Sequence, residues 1–250
     1  MAYYEITDAQ IAPNAPITSR VAYQLRDNTL AIAAGEDDTP FLAPPRIAAF
    51  GVAGVGAWTC PADVYRVRLT LIGAGGGGGP AGTTGMPEDD PTPIYGGGGG
   101  GGGLVVVALR VVPGTAYPVE IGAGGASDVA GGDTWFGDAT DIFAEGGAAG
   151  VNTGAGGAGG DGNIVAAPTD TIIMPVAAGI AGIARYGENG QPGYTTGVSG
   201  ADASGFAGKG GSAFMAYGPY SGAGVRGCGG AGAVSGAGGA GGDGVIIIEY

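Results

Sequence analysis

The stretch Gly227 to Tyr250, GCGGAGAVSGAGGAGGDGVIIIEY, decides the fold. Its residues Cys228, Ala231, Val234, Ala237, Ala240 and Asp243 fall at every third position, and glycine fills nearly every other place. An α-helix needs an apolar recurrence of about 3.6 residues and a strand one of about 2, so neither applies before the β-branched run at Val245. Three residues per turn is the period of the left-handed extended helix, which makes no internal hydrogen bonds. Each N–H and C=O of such a helix must find a partner in a neighbouring segment, and only residues without a Cβ allow neighbours close on several sides. One run cannot hold itself folded.

The chain supplies more. Gly154 to Val165 reads GAGGAGGDGNIV, against GAGGAGGDGVII from Gly236 to Ile247. The repeat glycines are Gly154, Gly157 and Gly160 in one copy and Gly236, Gly239 and Gly242 in the other. Looser relatives are Ile72 to Gly79, the unbroken glycines Gly96 to Gly103, Ile121 to Gly125 and Glu145 to Gly150. Collagen requires strict Gly-X-Y with proline at X or Y, and proline is absent from these runs. A flexible glycine linker is the other alternative, opposed by the apolar segments threaded between the runs. The reading that remains is a packed array of extended glycine helices.

Strands adjoin the runs. In Val64 to Ile72 (VYRVRLTLI), Tyr65, Val67, Leu69 and Leu71 alternate with Val64, Arg66, Arg68, Thr70 and Ile72. Leu104 to Val112 and Thr115 to Ile121 follow, and Pro113-Gly114 suits a turn that would pair the three as an antiparallel meander. The fold class is mostly β and irregular: a small antiparallel scaffold beside glycine helices, after a short helical N-terminal segment. Residues 1–46 hold one glycine, and Ile17, Val21 and Leu25 recur at helical spacing from Pro16 to a stop at Asp27-Asn28. This segment reads either as a helix packed on its own domain or as an attachment segment. Residues 47–250 form the glycine-rich domain. Ile164 to Ile183, broken by Pro168, Pro175 and Gly179, reads as an irregular strand pair or loop, and Pro80 to Tyr95 as an exposed loop.

With 60 glycines in 250 residues, ordering is costly in backbone entropy, and the core must be thin. A net charge of −13 and the lack of a Lys/Arg cluster exclude nucleic-acid binding. No apolar run is long enough to span a membrane, and Met1-Ala-Tyr-Tyr-Glu opens no signal peptide. Cys60 and Cys228 suit small buried hydrophobes, with a long-range bridge as the alternative. The chain has no histidine, no nucleophile elbow and no P-loop, so no catalytic residue, metal ligand or cofactor is assigned and an enzyme is not expected. Glu36-Asp37-Asp38 and Glu88-Asp89-Asp90 lack the spacing of a cation loop and read as solvated surface.

Aromatic residues among small polar ones suit a recognition surface, because a ring supplies area with few torsions to fix. Tyr186, Tyr194, Phe206, Phe214, Tyr217 and Tyr220 have this setting; Tyr95, Trp135 and Phe136 are further candidates. The alternative is that these rings cap a thin core or cover helix ends.

Phe50, the block from Trp58-Thr59-Cys60-Pro61 through Val64 to Ala74, Gly96 to Gly103, Val112 to Val119 with Gly122 to Gly125, and the closing GGDGVIIIEY together resemble the glycine-rich domain of tailed-phage tail and fibre proteins. The resemblance covers roughly residues 47–250. Residues 8 to 36, with Leu25-Arg26-Asp27-Asn28 and Ala31-Ile32-Ala33, are similar to leader segments that precede such domains. It implies a virion component built on packed polyglycine-II helices and related to short tail-fibre adhesins. Its expected partners are other virion proteins through the N-terminal segment and a host surface protein or polysaccharide, with a homo-oligomer open. The adhesin pattern places contact loops at Pro80 to Tyr95, Ser127 to Phe143, Tyr186 to Thr196 and Phe206 to Tyr220. Ile164 to Ile183 departs from that pattern, being long and apolar. A purely structural capsid or tail decoration or joining protein is the alternative. An ice-binding protein would need a flat regular face, which these irregular repeats do not offer.

Overall fold

The computed structural model describes residues 21–27, 46–83, 93–164, 182–196, 204–213, 218–219 and 221–250. The chain divides into two compact units, Met1–Arg46 and Ile47–Tyr250. In the first, 21–27 is helical, with Val21 buried and Tyr23 and Leu25 exposed. Ile17, Asn28 and the acidic Glu36 to Asp38 lie outside the described residues. Among the described residues no helix is long and apolar enough to cross a membrane.

The second unit opens with β1 (Ile47–Phe50), β2 (Gly54–Thr59), β3 (Arg66–Ile72) and the short β4 (Gly82–Thr83) and β5 (Pro93–Ile94). There follow β6 (Leu104–Arg110), β7 (Ala116–Ile121), β8 (Thr134–Phe136), β9 (Ile142–Ala144) and β10 (Gly162–Ile164). The last are β11 (Gly182–Arg185), β12 (Tyr194–Thr196), β13 (Ser204–Phe206) and β14 (Val245–Glu249). Two five-stranded antiparallel sheets form, ordered β1-β14-β3-β6-β11 and β10-β9-β8-β7-β2. They share one core of Trp58, Val67, Leu69, Leu71, Val105, Val107, Val119, Ile121, Phe136, Ile246 and Ile248. Tyr117 stacks on Phe136 at 5.3 Å between centroids, and Trp58 meets Tyr250 edge-on at 5.5 Å.

In β3 the alternation holds from Arg66 onward: Val67, Leu69 and Leu71 are buried, and Arg66 and Arg68 are exposed. Before the strand it inverts, because Val64 turns into the core and Tyr65 stands out. The expected meander is corrected. β3 pairs with β6, but β7 pairs with β2 and β8, so Pro113-Gly114 carries the chain from one sheet to the other. The second edge of β6 is already taken by β11, which leaves β7 no place beside it. Most of Ile164 to Ile183 lies outside the described residues; its ends join β10 to β11.

Beyond one end of the sheets the glycine runs stack as extended three-fold helices. The run 73–79 donates in strict rotation. Gly73, Gly76 and Gly79 bond to Gly103, Gly100 and Gly97; Ala74 and Gly77 to Gly132 and Val129; Gly75 and Gly78 to Gly242 and Gly239. It accepts from three other runs, at 125–128, 147–150 and 230–233. Six neighbours therefore surround it, three bonded through its N–H groups and three through its carbonyls. The run 96–103 is enclosed in the same way by 73–79, 145–151, 157–160, 188–191, 208–211 and 227–233. This explains the unbroken glycines. A methyl at Gly97, Gly98 or Gly99 would fall on the carbonyl of Ala155, Lys209 or Gly76, one on each side of the helix. Peripheral runs need glycine only inward: Gly157 and Gly160 are buried, whereas Ala155 and Ala158 are exposed.

The closing triplet run is two helices and not one. Val234, Ser235 and Gly236, with φ +72 at Gly236, reverse the chain, and Gly239 and Gly242 then donate back to Ala231 and Cys228 at 2.8 and 2.9 Å. Carboxylates finish the runs where helix meets sheet. Asp243 accepts from the Gly124 N–H at 2.9 Å, Asp133 from Gly146 at 2.9 Å and Asp161 from Gly162 at 2.7 Å. Ile72, Leu104, Ala213 and Cys228 form a small apolar joint between the first sheet and the helices. Cys60 belongs to the sandwich core, so the two thiols sit in separate clusters and form no bridge.

Candidate recognition surface

Every glycine helix runs between the sheets and an opposite pole, so the chain must turn at that pole. The bonds place the turns together: Ala81 donates to Gly236 at 2.9 Å, Asp128 to Gly78 at 3.1 Å, Gly97 to Val151 at 3.2 Å and Gly193 to Gly154 at 2.8 Å. The pole thus gathers the ends of β4 and β5, the Ser127-Asp128 turn, the Asn152-Thr153 turn, the β12–β13 hairpin and the Val234 to Gly236 turn. Asp128 takes φ 60 and Gly154 φ +87, the left-handed geometry of tight reversals. Ile47 and Tyr250 lie at the other pole, since β1 pairs Ile47 with Glu249 and β14 leaves the glycine layer at Val245.

Three aromatic candidates reach the turn pole. Tyr95 directly precedes the enclosed glycine helix, with its carbonyl against Gly154 and Gly193, and β5 lies beside β12. Tyr194 and Phe206 are opposed in the β12–β13 register. Tyr186 is 77% exposed but follows β11, where the helices meet the sheet. Trp135 is half-buried in β8 and donates from its indole N–H to Glu120 at 2.8 Å. Phe136 is corrected: it is 3% exposed in the sandwich core, where its ring stacks on Tyr117, and cannot present a contact surface. The Ser127 to Phe143 segment is likewise divided, its first residues at the turn pole and the rest returning into β8 and β9. Phe214, Tyr217 and Tyr220 lie outside the described residues.

The exposed side chains that the structure does bring to this pole are smaller: Asn152, Thr153, Gln191, Pro192, Val234 and Ser235. Their signal in the sequence is the interruption of a glycine run by residues other than Gly or Ala, not aromatic content. Gln191, Pro192, Lys209, Ser221, Ala233 and Ser235 border an open groove of about 640 Å³. Its walls offer amide, ammonium, hydroxyl and backbone groups beside apolar carbon, a set that binds through hydrogen bonds and shape. Among the described residues no cluster suited to holding a metal ion is present. Both cysteines are poor nucleophiles, because burial pushes the thiols of Cys60 and Cys228 above their ordinary range.

A family model described as a glycine-rich domain matches residues 51–250, nearly the whole second unit. No curated protein matches the chain. The three-residue period, the six-fold enclosure of its all-glycine runs and this match together place the chain in the glycine-rich domain family.

Proposed function

We propose that this chain is a phage virion component, a tail-fibre or tail-tip adhesin that recognises a host surface protein or polysaccharide through the turns between its polyglycine helices. The observation that carries the reading is the polarity of the second unit. Its inter-helix turns collect at one pole, and the chain enters at Ile47 at the other. The array between them is held by backbone hydrogen bonds, so turn residues can vary without touching the core. Recognition is passive, and several copies on one particle multiply weak contacts by effective concentration. The first unit serves as the link to other virion proteins. A structural decoration or joining protein is the second reading, favoured by the small polar character of the exposed turn residues Asn152, Gln191 and Ser235.

The test is labelling of a panel of bacterial strains with the fluorescent full chain, beside a variant in which residues 194–206 are replaced by Gly-Ser-Gly. That variant keeps the helices on either side, whereas a deletion of 186–220 would remove bonded runs. Strain-selective labelling that disappears in the folded variant is expected. Labelling of no strain, or labelling indifferent to the replacement, overturns the adhesin reading. With a net charge of −13, binding to an anionic envelope strengthens on adding salt or divalent cations; binding unchanged by salt and chelator contradicts this charge argument.

A further inference from the structure

The sandwich is closed on one side and open on the other. β10 and β11, the edge strands of the two sheets on one flank, lie against each other. On the opposite flank β1 and β2 end their sheets, and among the described residues no strand pairs with the outer edge of β2. The direction of its unpaired groups follows from Pro118. Ala57 stands opposite Pro118, which has no N–H and whose carbonyl accepts from Gly137 at 2.8 Å on the far side of β7. The Ala57–Pro118 pair is therefore of the non-hydrogen-bonded kind, and alternation sends the N–H and C=O groups of Val55, Ala57 and Thr59 outward.

Natural sheet edges are usually guarded by Lys, Pro, a bulge or a covering segment. This one has none of the first two. From Ile47 to Thr59 the sequence IAAFGVAGVGAWT holds no charged residue, in a chain of net charge −13. Ile47 is 60%, Val52 81% and Val55 76% exposed. Between β1 and β2 a groove of about 300 Å³ is lined by Phe50, Gly51, Ala53, Gly56 and Ile121.

We infer that β2 is a self-association edge, on which a second copy of this chain adds its own β2 antiparallel about a two-fold axis. Centred on Ala57, the pairing sets Val55 opposite Thr59 of the second copy, and it joins the outward N–H and C=O groups of both. The register is self-complementary, as a two-fold interface requires. Val55, Ala57 and Thr59 carry no charge, and Glu120, opposite Val55 on β7, is held by the Trp135 indole, so two copies of a chain of net charge −13 pair here without a like charge on the strand itself, and the self-complementary register favours a second copy as the occupant.

The experiment is the solution mass of the full chain by sedimentation over a range of concentrations, for the natural sequence, Ala57→Pro and Val55→Lys. Ala57→Pro removes an outward N–H and leaves the bonds to β7 in place; Val55→Lys puts a charge on the edge without entering the core. The natural chain sediments at twice its 23.7 kDa, and each variant raises the dimer dissociation constant at least about tenfold. Retained near-ultraviolet aromatic signal shows that a variant is folded, and either folded variant suffices. Amides of Val55, Ala57 and Thr59 gain exchange protection only at dimer concentrations. A monomer throughout, a mass above the dimer, or a dimer that tolerates both substitutions overturns the inference, the last two by showing that copies meet elsewhere.

Discussion

At the residue scale, the same substitution has opposite meanings in different rows of a glycine helix. Gly99→Ala places a methyl on the Gly76 carbonyl, and no flexible side chain is there to yield. The gain from a stiffer unfolded chain, about 0.4–1 kcal/mol, is outweighed by an overpacking cost of about 3 kcal/mol. Ala158→Gly, on an outward position, costs only about the entropic 0.4–1 kcal/mol. Urea unfolding of both variants checks the pair, and near-equal midpoints would contradict the enclosure of 96–103. Asp243→Ala strands the Gly124 N–H and lowers stability by about 1–3 kcal/mol in the same assay. The cysteines give a pH prediction. Their folded pKa values are raised by burial, so the native state holds protons that the unfolded chain releases above about pH 8.5. Their contribution is fully present below that value and is lost as pH rises past it; Cys60→Ala with Cys228→Ala flattens the alkaline decline, as a stability–pH profile would report.

At the element scale, a glycine helix is defined by its phase. Each donor of 73–79 and 96–103 points to one of three neighbours in turn, so one extra glycine after Gly99 rotates every later N–H away from its acceptor. That insertion is expected to cost several kcal/mol, on the order of 1 kcal/mol for each bond left unmade. An extra glycine between Ser235 and Gly236, in a turn, costs less than about 1 kcal/mol. Comparative denaturation distinguishes them, and equal effects would mean that the run is not phased. The period itself was legible in the sequence, as were β3, β6 and β14, because β-branched alternation and glycine triplets are local patterns. The break at Val234 to Gly236 was not, since Val234 keeps the three-residue spacing through the reversal. Nor was the sheet change at Pro113-Gly114, which depends on β11 occupying the second edge of β6, a long-range fact. Aromatic content pointed to Phe136, yet a protein with so few large side chains uses rings such as Trp58 and Phe136 to fill the sandwich.

At the scale of the whole molecule, the second unit joins two ways of satisfying a backbone. Strands β3, β6 and β14 continue without interruption into glycine helices, and Ile72, Leu104 and Cys228 pack across the joint. Sandwich and array should therefore unfold together. Leu69→Ala, at a fully buried site in the sandwich, is expected to cost about 2–5 kcal/mol and to shift the tryptophan-fluorescence and far-ultraviolet transitions by the same amount. Separate transitions would make the two parts independent. The polarity of this unit, sheets at one pole and turns at the other, was not legible either, because it follows from the helices running antiparallel in pairs. The central claim is that the all-glycine runs are fully hydrogen-bonded helices. Residue-resolved amide exchange on the full chain tests it most directly. Every amide of 73–79 and 96–103 is predicted to exchange only through global unfolding, as slowly as the amides of β3. Exchange at the rate of an open chain, or protection at alternate residues only, would contradict the three-fold array.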